Sequence, residues 1–260
     1  MKRVKTVFSA LFILVLPLLF GIGCGIVITG SGNLVTEEKS FADFTKVNAG
    51  SAFDVSITRD DEYSITITAD DNLMEYVQVS MTGSTLTIDT DVMTLNRVTL
   101  RAEITMPDID TLTLSGACRG TLTGFDTTEA FSCDISGASD LSFEDITFGD
   151  ITAGASGASS IDGALTCGDM VLGLSGASDA DIDGQAADVT LTAEGASSAK
   201  LGGFTVANAS VNISGASRAT IKTDGDLNVN LSGASSLRYI GSPAVDVEGI
   251  TGASSMQKVD

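Results

Sequence analysis

Apolar and polar residues alternate along most of the chain after residue 33, and a short glycine motif interrupts the alternation at regular intervals. Relative to each motif glycine, the positions four and two residues before it and four and six residues after it are mostly apolar. In the repeat around Gly176 these positions hold Leu172, Leu174, Ala180 and Ile182. A period of two predicts β-strands that bury one face, with one strand on each side of the motif.

The motif reads SGAS or a close variant, and it occurs eight times. Its glycines are Gly116, Gly137, Gly157, Gly176, Gly195, Gly215, Gly233 and Gly252. The spacing of 18–21 residues is typical of a solenoid and is too short for a propeller blade of about 40 residues. We therefore predict an all-β fold: a parallel β-helix of about eight rungs of 18–21 residues, preceded by a β-rich capping module.

We predict that each SGAS motif is a corner between two strands of a rung. Glycine permits backbone angles that other residues resist, and the serine hydroxyls can bond backbone groups that the bend leaves without a ladder partner. We expect the alanine to be the small buried side chain of the bend, and the inward face to change phase there. A repeated serine nucleophile is the alternative, but the chain contains no histidine to act as its base.

Residues 33–112 lack the SGAS period and are predicted to form the capping module at one end of the solenoid. Alternating strands are expected to begin near Phe53, Tyr63, Ser84 and Val98, and Ala69–Val77 is expected to contain one helical turn capped by Asp70 or Asp71. Residues 113–260 form the predicted repeat region, and 33–255 is expected to be one continuous domain. In the last rung, Asp246 and Glu248 fall at nominally inward positions, where charge would guard the open end.

The N-terminus has the layout of a secretory signal: basic residues, an apolar run over 7–20, and a glycine-rich stretch before Cys24. We predict a lipoprotein-type signal peptide over 1–23, lipid attachment at Cys24 and a glycine-rich tether over 24–32. An uncleaved N-terminal anchor is the alternative. Gly25 is not an aspartate, which favours the outer membrane in a two-membrane bacterium. The predicted location is therefore the cell envelope, at the outer membrane or cell surface.

The formal charge of the chain is −20, and removal of residues 1–23 takes away three basic residues and no acidic ones. The remaining 11 basic and 34 acidic residues give −23. Nucleic acids and anionic lipid surfaces need a positive face and are excluded as partners. A membrane contact through the lipid anchor and a polysaccharide or cell-surface ligand stay compatible with this charge.

Three cysteines follow Cys24, namely Cys118, Cys133 and Cys167, without a CxxC spacing. This pattern predicts neither a disulfide framework nor a zinc site, and it favours three small buried side chains. A single Cys118–Cys133 bridge stays open as an alternative.

Carboxylates are concentrated in SSIDG and SDADIDG, at Asp162, Asp179, Asp181 and Asp183. Asp162 and Asp181 hold the same place in neighbouring rungs, five residues after the glycine, and Lys200 holds it in the next rung. A solvated acidic face partly balanced by Lys200 is the favoured interpretation. A weak Ca²⁺ site and a pair of glycosidase carboxylates are the alternatives, and no other cofactor is expected. By the same logic, Arg119 and Asp140 are predicted to form an ion pair between rungs.

The segments GSGNLVTEEKSFADFTKVNAGSAFDVSITRDD, ITITADDNLMEYV and ITMPDIDTLTLSGA, followed by the SGA repeats, resemble the putative auto-transporter adhesin, head GIN domain family over about residues 33–255. The resemblance implies an exported, solenoid-like all-β domain with an adhesin-like role and carries no catalytic or binding residues. The leading hypothesis is thus a lipid-anchored, non-enzymatic envelope protein that binds a surface. A carbohydrate-active enzyme, a structural or cation-binding envelope protein, and a binder of ordered water are the alternatives.

Overall fold

A computed structural model describes residues 27–92 and 94–259, and this part of the chain is almost entirely β-structure with one 3₁₀ turn, Met74–Tyr76. The first half contains β1 Val27–Thr29, β2 Leu34–Glu38, β3 Lys46–Ala49, β4 Asp54–Arg59, β5 Ser64–Asp70, β6 Val77–Thr82, β7 Thr85–Thr90, β8 Thr94–Asn96, β9 Leu100–Met106, β10 Thr111–Leu114, β11 Arg119–Thr123 and β12 Phe131–Ile135. The second half contains β13 Asp140–Thr147, β14 Ile151–Ala155, β15 Ser160–Thr166, β16 Met170–Leu174, β17 Asp179–Ala193, β18 Ser198–Ile213, β19 Arg218–Thr223, β20 Asp226–Leu231, β21 Ser236–Ile240, β22 Ala244–Ile250 and β23 Ser255–Lys258.

Successive coils stack their strands in parallel and in register, which confirms the predicted β-solenoid with its β-rich N-terminal part. Sheet 1 contains the strands that precede each corner, in the order β7, β3, β10, β12, β14, β16, the second part of β17, the second part of β18, β20 and β22. Sheet 2 contains the strands that follow each corner, in the order β9, β4, β11, β13, β15, β17, β18, β19, β21 and β23.

The interior consists of columns of apolar side chains, because in-register stacking places equivalent residues of successive coils above one another. Leu112, Cys133, Ala153, Leu172 and Leu191 form one such column, and each is at most 2% exposed. These columns bury the period-two positions expected from the sequence.

The corners have a different side-chain arrangement from the expected one. The eight motif glycines adopt φ values of 72° to 86°, as predicted for a bend. The expectation of a buried alanine is wrong, because Ala138 and its equivalents are exposed while the second serine, such as Ser139, is buried. The expected change of phase is wrong as well. The inward positions keep an even spacing from the glycine, and the buried serine fills the place between the two strands.

The buried serines bond backbone groups in two coils, which confirms the predicted role of the hydroxyls. Ser139 Oγ donates to the Ser136 carbonyl oxygen at 2.9 Å and accepts from the Cys118 backbone N–H of the preceding coil at 3.2 Å. Ser159 Oγ makes the equivalent bonds to the Ser156 carbonyl (2.8 Å) and the Ser139 N–H (3.4 Å). A polar side chain can therefore lie inside the solenoid without an unpaired hydrogen-bonding group.

The N-terminal strands stack in an order that differs from their order in the chain. β3 and β4 form a coil of their own, with a corner at 50–53, and this coil lies between the coil of β7–β9 and that of β10–β11. Antiparallel strands β6, β5 and β2 then cover the end of the stack. The helical turn is present, but the predicted aspartate cap is wrong: Leu73 precedes the turn and no side chain caps it.

The last coil corrects the expectation for its two acidic residues. Asp246 pairs with Asn228 on the outward face, and the register between β20 and β22 shifts at Glu248, which lies in a bulge. The bulge restores Val245, Val247 and Ile250 to the positions that continue the buried columns, and they are 38–43% exposed because no further coil covers them.

Candidate functional site

The outward face of sheet 1, which we call face 1, is a flat array of small polar side chains. From β10 to β22 it contains no lysine or arginine. One row runs Thr111, Ser132, Thr152, Val171, Thr190, Ser210 and Asn228, and the next runs Thr113, Asp134, Gly154, Gly173, Thr192, Asn212 and Asn230. In these two rows every coil has a hydroxyl or amide side chain except that of β16, where Val171 and Gly173 face outward, and successive coils are about 4.8 Å apart.

A groove of about 380 Å³ crosses face 1 where two successive coils have glycine at the same outward position. Gly154 and Gly173 form its floor, and the first serines of the neighbouring corners line one side. Asp134 closes one end and Glu194 the other, three coils apart, which is about 14 Å along the solenoid. The groove exists because these glycines lack the side chains that the rest of the row carries.

The two carboxylates give the groove a negative potential. Asp134 leans over the floor, since its Oδ1 lies 2.8 Å from the place where a Cβ on Gly154 would be. The ion pairs of the repeat region within the described residues are on the outward face of sheet 2, where Arg119 meets Asp140 at 3.9 Å and Lys200 meets Asp181 at 3.0 Å. The Arg119–Asp140 pair was predicted, and Lys200 was expected to balance the acidic face in part. Exposed pairs of this kind contribute only about 0–1 kcal/mol each in general.

The four predicted aspartates lie on the outward face of sheet 2. Asp162 and Asp181 are register partners in adjacent coils, while Asp179 and Asp183 pair with Ser160 and Ala164. Ser142 donates to Asp162 at 2.6 Å, and the hydrogen bond from Lys200 to Asp181 raises the pKa of that lysine. The arrangement matches the predicted solvated face with partial charge balance.

Within the described ranges, no group of three or more acidic, histidine or cysteine side chains has the geometry to hold a metal ion. The Ca²⁺ site stays a prediction. Asp181 is exposed and bonded to an ammonium group, whereas a glycosidase acid needs an apolar environment that raises its pKa. Cys24, the predicted lipid attachment residue, lies outside the described residues.

The three cysteines are buried and unbridged, and no alternative bridge between Cys118 and Cys133 forms. Burial raises the pKa of the thiols, to about 12 for Cys133 and for Cys167. Cys118 occupies the place that the buried serine holds in other corners, so these residues act as small core side chains.

Sequence reasoning did not identify the groove on face 1. Two signals were available. Successive repeats have glycine at the outward position three residues before the motif glycine, and Glu194 replaces the first motif serine. Neither signal is distinctive until the register shows that Gly154 and Gly173 are neighbours and that Asp134 and Glu194 bracket them.

None of the described helices is long and apolar enough to cross a membrane.

Among curated proteins, none matches this sequence. Solved structures share the fold, all at low identity. A putative adhesin from Parabacteroides merdae ATCC 43184 has a TM-score of 0.84 at 17% identity, covering 90% of this chain and 99% of its own. A putative lipid binding protein from Parabacteroides distasonis ATCC 8503 has a TM-score of 0.83 at 17% identity, covering 90% and 100%. A putative adhesin from the same organism has a TM-score of 0.84 at 19% identity, also covering 90% and 100%.

The sequence profile of one family, described as putative auto-transporter adhesin, head GIN domain, matches residues 43–243. This range includes the coil of β3 and β4, the covering strands β5 and β6, and all but the last of the repeating corners. The chain belongs to this family, the putative auto-transporter adhesins with a head GIN domain.

Proposed function

We propose that the protein is an exported, lipid-anchored and non-enzymatic envelope protein that binds a neutral or amine-bearing polysaccharide on face 1. The observation that carries the proposal is the groove bracketed by Asp134 and Glu194 within a flat array of hydroxyl and amide groups. Family membership supports a role in surface binding.

The chemistry of face 1 suits a glycan better than a protein hot spot. Apart from Val171, which is 48% exposed, its side chains are small donors and acceptors. Between β10 and β22 it carries no aromatic residue exposed for packing into a partner pocket. The net charge and the two carboxylates disfavour polyanions and favour neutral or amine-bearing sugars. Because each contact is a single solvated hydrogen bond, useful affinity requires several sugar units bound along several coils.

Anchoring at Cys24 is supported by the basic, apolar and glycine-rich order of residues 1–23. Globomycin, which blocks lipoprotein signal peptidase, should leave an unprocessed precursor, and Cys24→Ser should remove the protein from the membrane fraction. Unchanged processing and membrane association in both cases would refute the anchor without affecting the binding proposal.

The binding proposal is tested by immobilising the purified mature chain and measuring its retention of neutral, amine-bearing and acidic polysaccharides. We expect retention of the first two classes and none of the third. Asp134→Asn with Glu194→Gln should weaken binding of the amine-bearing class at least tenfold and leave neutral polymers within threefold. Retention of acidic polymers alone, or of no polymer, would refute the proposal.

A further inference from the structure

The first described segment of the chain, residues 27–33, is fastened to the capped end of the solenoid. β1 pairs in parallel with β8, and the Gly30 N–H donates to the Asn96 carbonyl at 3.1 Å. The Asn72 side chain holds the next turn: its Nδ2 donates to the Thr29 carbonyl at 2.9 Å and its Oδ1 accepts from the Ser31 N–H at 3.1 Å. We call residues 27–33 with their partners at 70–72 the N-terminal hook.

A buried carboxylate is the centre of the hook. Asp70 is 1% exposed, and its two oxygens accept backbone N–H groups from Gly32 and Thr99, both at 2.7 Å. A Cβ on Gly30 would lie 2.5 Å from Asp70 Oδ2, and Gly32 has a φ of 81°. The glycines of GSGN therefore permit the close approach and the turn by which the carboxylate holds the segment.

The hook lies at one end of the molecule. β8 belongs to the coil of β7–β9, which is the last parallel coil before the antiparallel covering strands. In sheet 1, nine strand pairings lie between β7 and β22. At about 4.8 Å per coil, the two ends of the solenoid are therefore about 43 Å apart. The groove glycines Gly154 and Gly173 lie four and five coils away from the coil of β7–β9. This separation is about 20 Å along the solenoid axis.

The link between the anchor and the hook is short. From Cys24 to Val27 the chain spans at most about 11 Å when fully extended, whereas a free segment up to Leu34 would span about 35 Å. Four exposed large apolar side chains lie at this same end: Val27, Leu34, Val35 and Met81, at 38–58% exposure.

We propose that the hook orients the protein on the bilayer that carries its N-terminal segment: the capped end contacts the membrane, and the coils of β20–β23 point away from it. This inference rests on the proposed lipid anchoring at Cys24. It places the groove about 20–30 Å above the bilayer surface, where a glycan layer rather than the lipid is within reach.

The test uses full-length protein purified from membranes and reconstituted in vesicles of phosphatidylcholine and phosphatidylglycerol. Single labels are introduced by Ser80→Cys on the covering strand β6 and by Gln257→Cys on the last strand. Cys118, Cys133 and Cys167 are buried, and the proposed lipid occupies the Cys24 thiol. Energy transfer to a headgroup dye should be at least threefold more efficient from position 80 than from position 257. Equal transfer from both positions would overturn the proposal.

A matched pair of insertions separates the hook from general effects on the fold. A 12-residue Gly-Ser linker between Ile26 and Val27 should bring the two transfer efficiencies within a factor of 1.5. The same linker in the exposed hairpin turn at Gly83 should preserve the threefold difference. A preserved difference with the Ile26–Val27 linker would overturn the role of the short link. Absence of the protein from floated vesicles would instead refute the anchoring, and with it the orientation.

Discussion

Two glycines three residues apart in one coil have opposite structural requirements, and this contrast gives the sharpest stability prediction. Gly176 is a corner glycine with a φ of 78°, and a Cβ there would lie 2.6 Å from the Gly157 carbonyl oxygen and 3.1 Å from its nitrogen. Gly173 is the groove glycine in β16, and a Cβ there would meet its nearest atom, the Ala153 carbonyl oxygen, at 4.0 Å. We expect Gly176→Ala to destabilise the solenoid and Gly173→Ala not to.

The magnitude follows from two terms. A left-handed backbone costs an alanine about 1–2 kcal/mol. Relief of the contact with Gly157 requires the coils to separate, which lengthens the 2.7 Å hydrogen bond from the Ala177 N–H to the Gly157 carbonyl and costs about 1–3 kcal/mol. Gly176→Ala should therefore lower the free energy of unfolding by about 2–5 kcal/mol. Gly173→Ala should change it by between zero and a gain of about 1 kcal/mol, since alanine loses less backbone entropy in a strand.

Guanidinium unfolding followed by far-ultraviolet circular dichroism measures the free energy of unfolding of both variants. Because the coils of a stacked array need not unfold together, hydrogen exchange of the corner amides is measured as well, since it reports local opening. The two variants should differ by at least 2 kcal/mol, with exchange accelerated around residues 157–177 in Gly176→Ala alone. A difference below 1 kcal/mol would refute the account of the corner as a close-packed backbone stack.

Four further predictions follow from buried polar and thiol groups. Ser139→Ala removes a hydroxyl that bonds two backbone groups and should lower the free energy of unfolding, measured by chemical denaturation, by about 1–3 kcal/mol. Its control, Cys118→Ser, should change that free energy by less than about 1 kcal/mol, because serine holds the equivalent place in other corners. Asp70→Asn should cost about 1.5–3 kcal/mol and speed exchange of the Gly32 amide; an unchanged exchange rate would contradict the hook. Cys133, with a pKa of about 12, should not react with DTNB at pH 8 in the folded protein, and fast labelling would contradict its burial. Because folding raises that pKa above its ordinary value of 9.0, stability should fall between pH 9 and pH 12, and Cys133→Ala should reduce this loss in alkaline denaturation.

The repeat region could be predicted from sequence because the same pattern of apolar positions and motif glycine occurs in each coil. An apolar residue two positions before every motif glycine, such as Leu174 before Gly176, fixes the strand, its inward face and the position of the bend. Each strand of the repeat region then pairs with the equivalent strand of the next coil, so the register follows from the repeat itself. The ion pairs Arg119–Asp140 and Lys200–Asp181 follow from the same register.

The features that sequence reasoning missed depend on contacts beyond one repeat. Ser139 is buried and Ala138 exposed, against their polarity, because two backbone groups satisfy the serine hydroxyl. The coil of β3 and β4 lies inside the stack although it precedes β7–β9 in the chain, a choice of strand partner that local alternation does not encode. The bulge at Glu248 likewise appears only in the register with β20.

The central claim is that the corners are scaffold and that binding takes place on face 1. Gly173→Thr places a strand-compatible side chain in the groove, and Gly202→Thr is its matched control on a different surface, where a Cβ meets only side-chain atoms at 3.5 Å. The most direct measurement is the affinity of both variants and the wild type for the polysaccharide retained most strongly. We predict at least a tenfold loss for Gly173→Thr and a change below twofold for Gly202→Thr. Wild-type affinity in Gly173→Thr would contradict the assignment of binding to this groove.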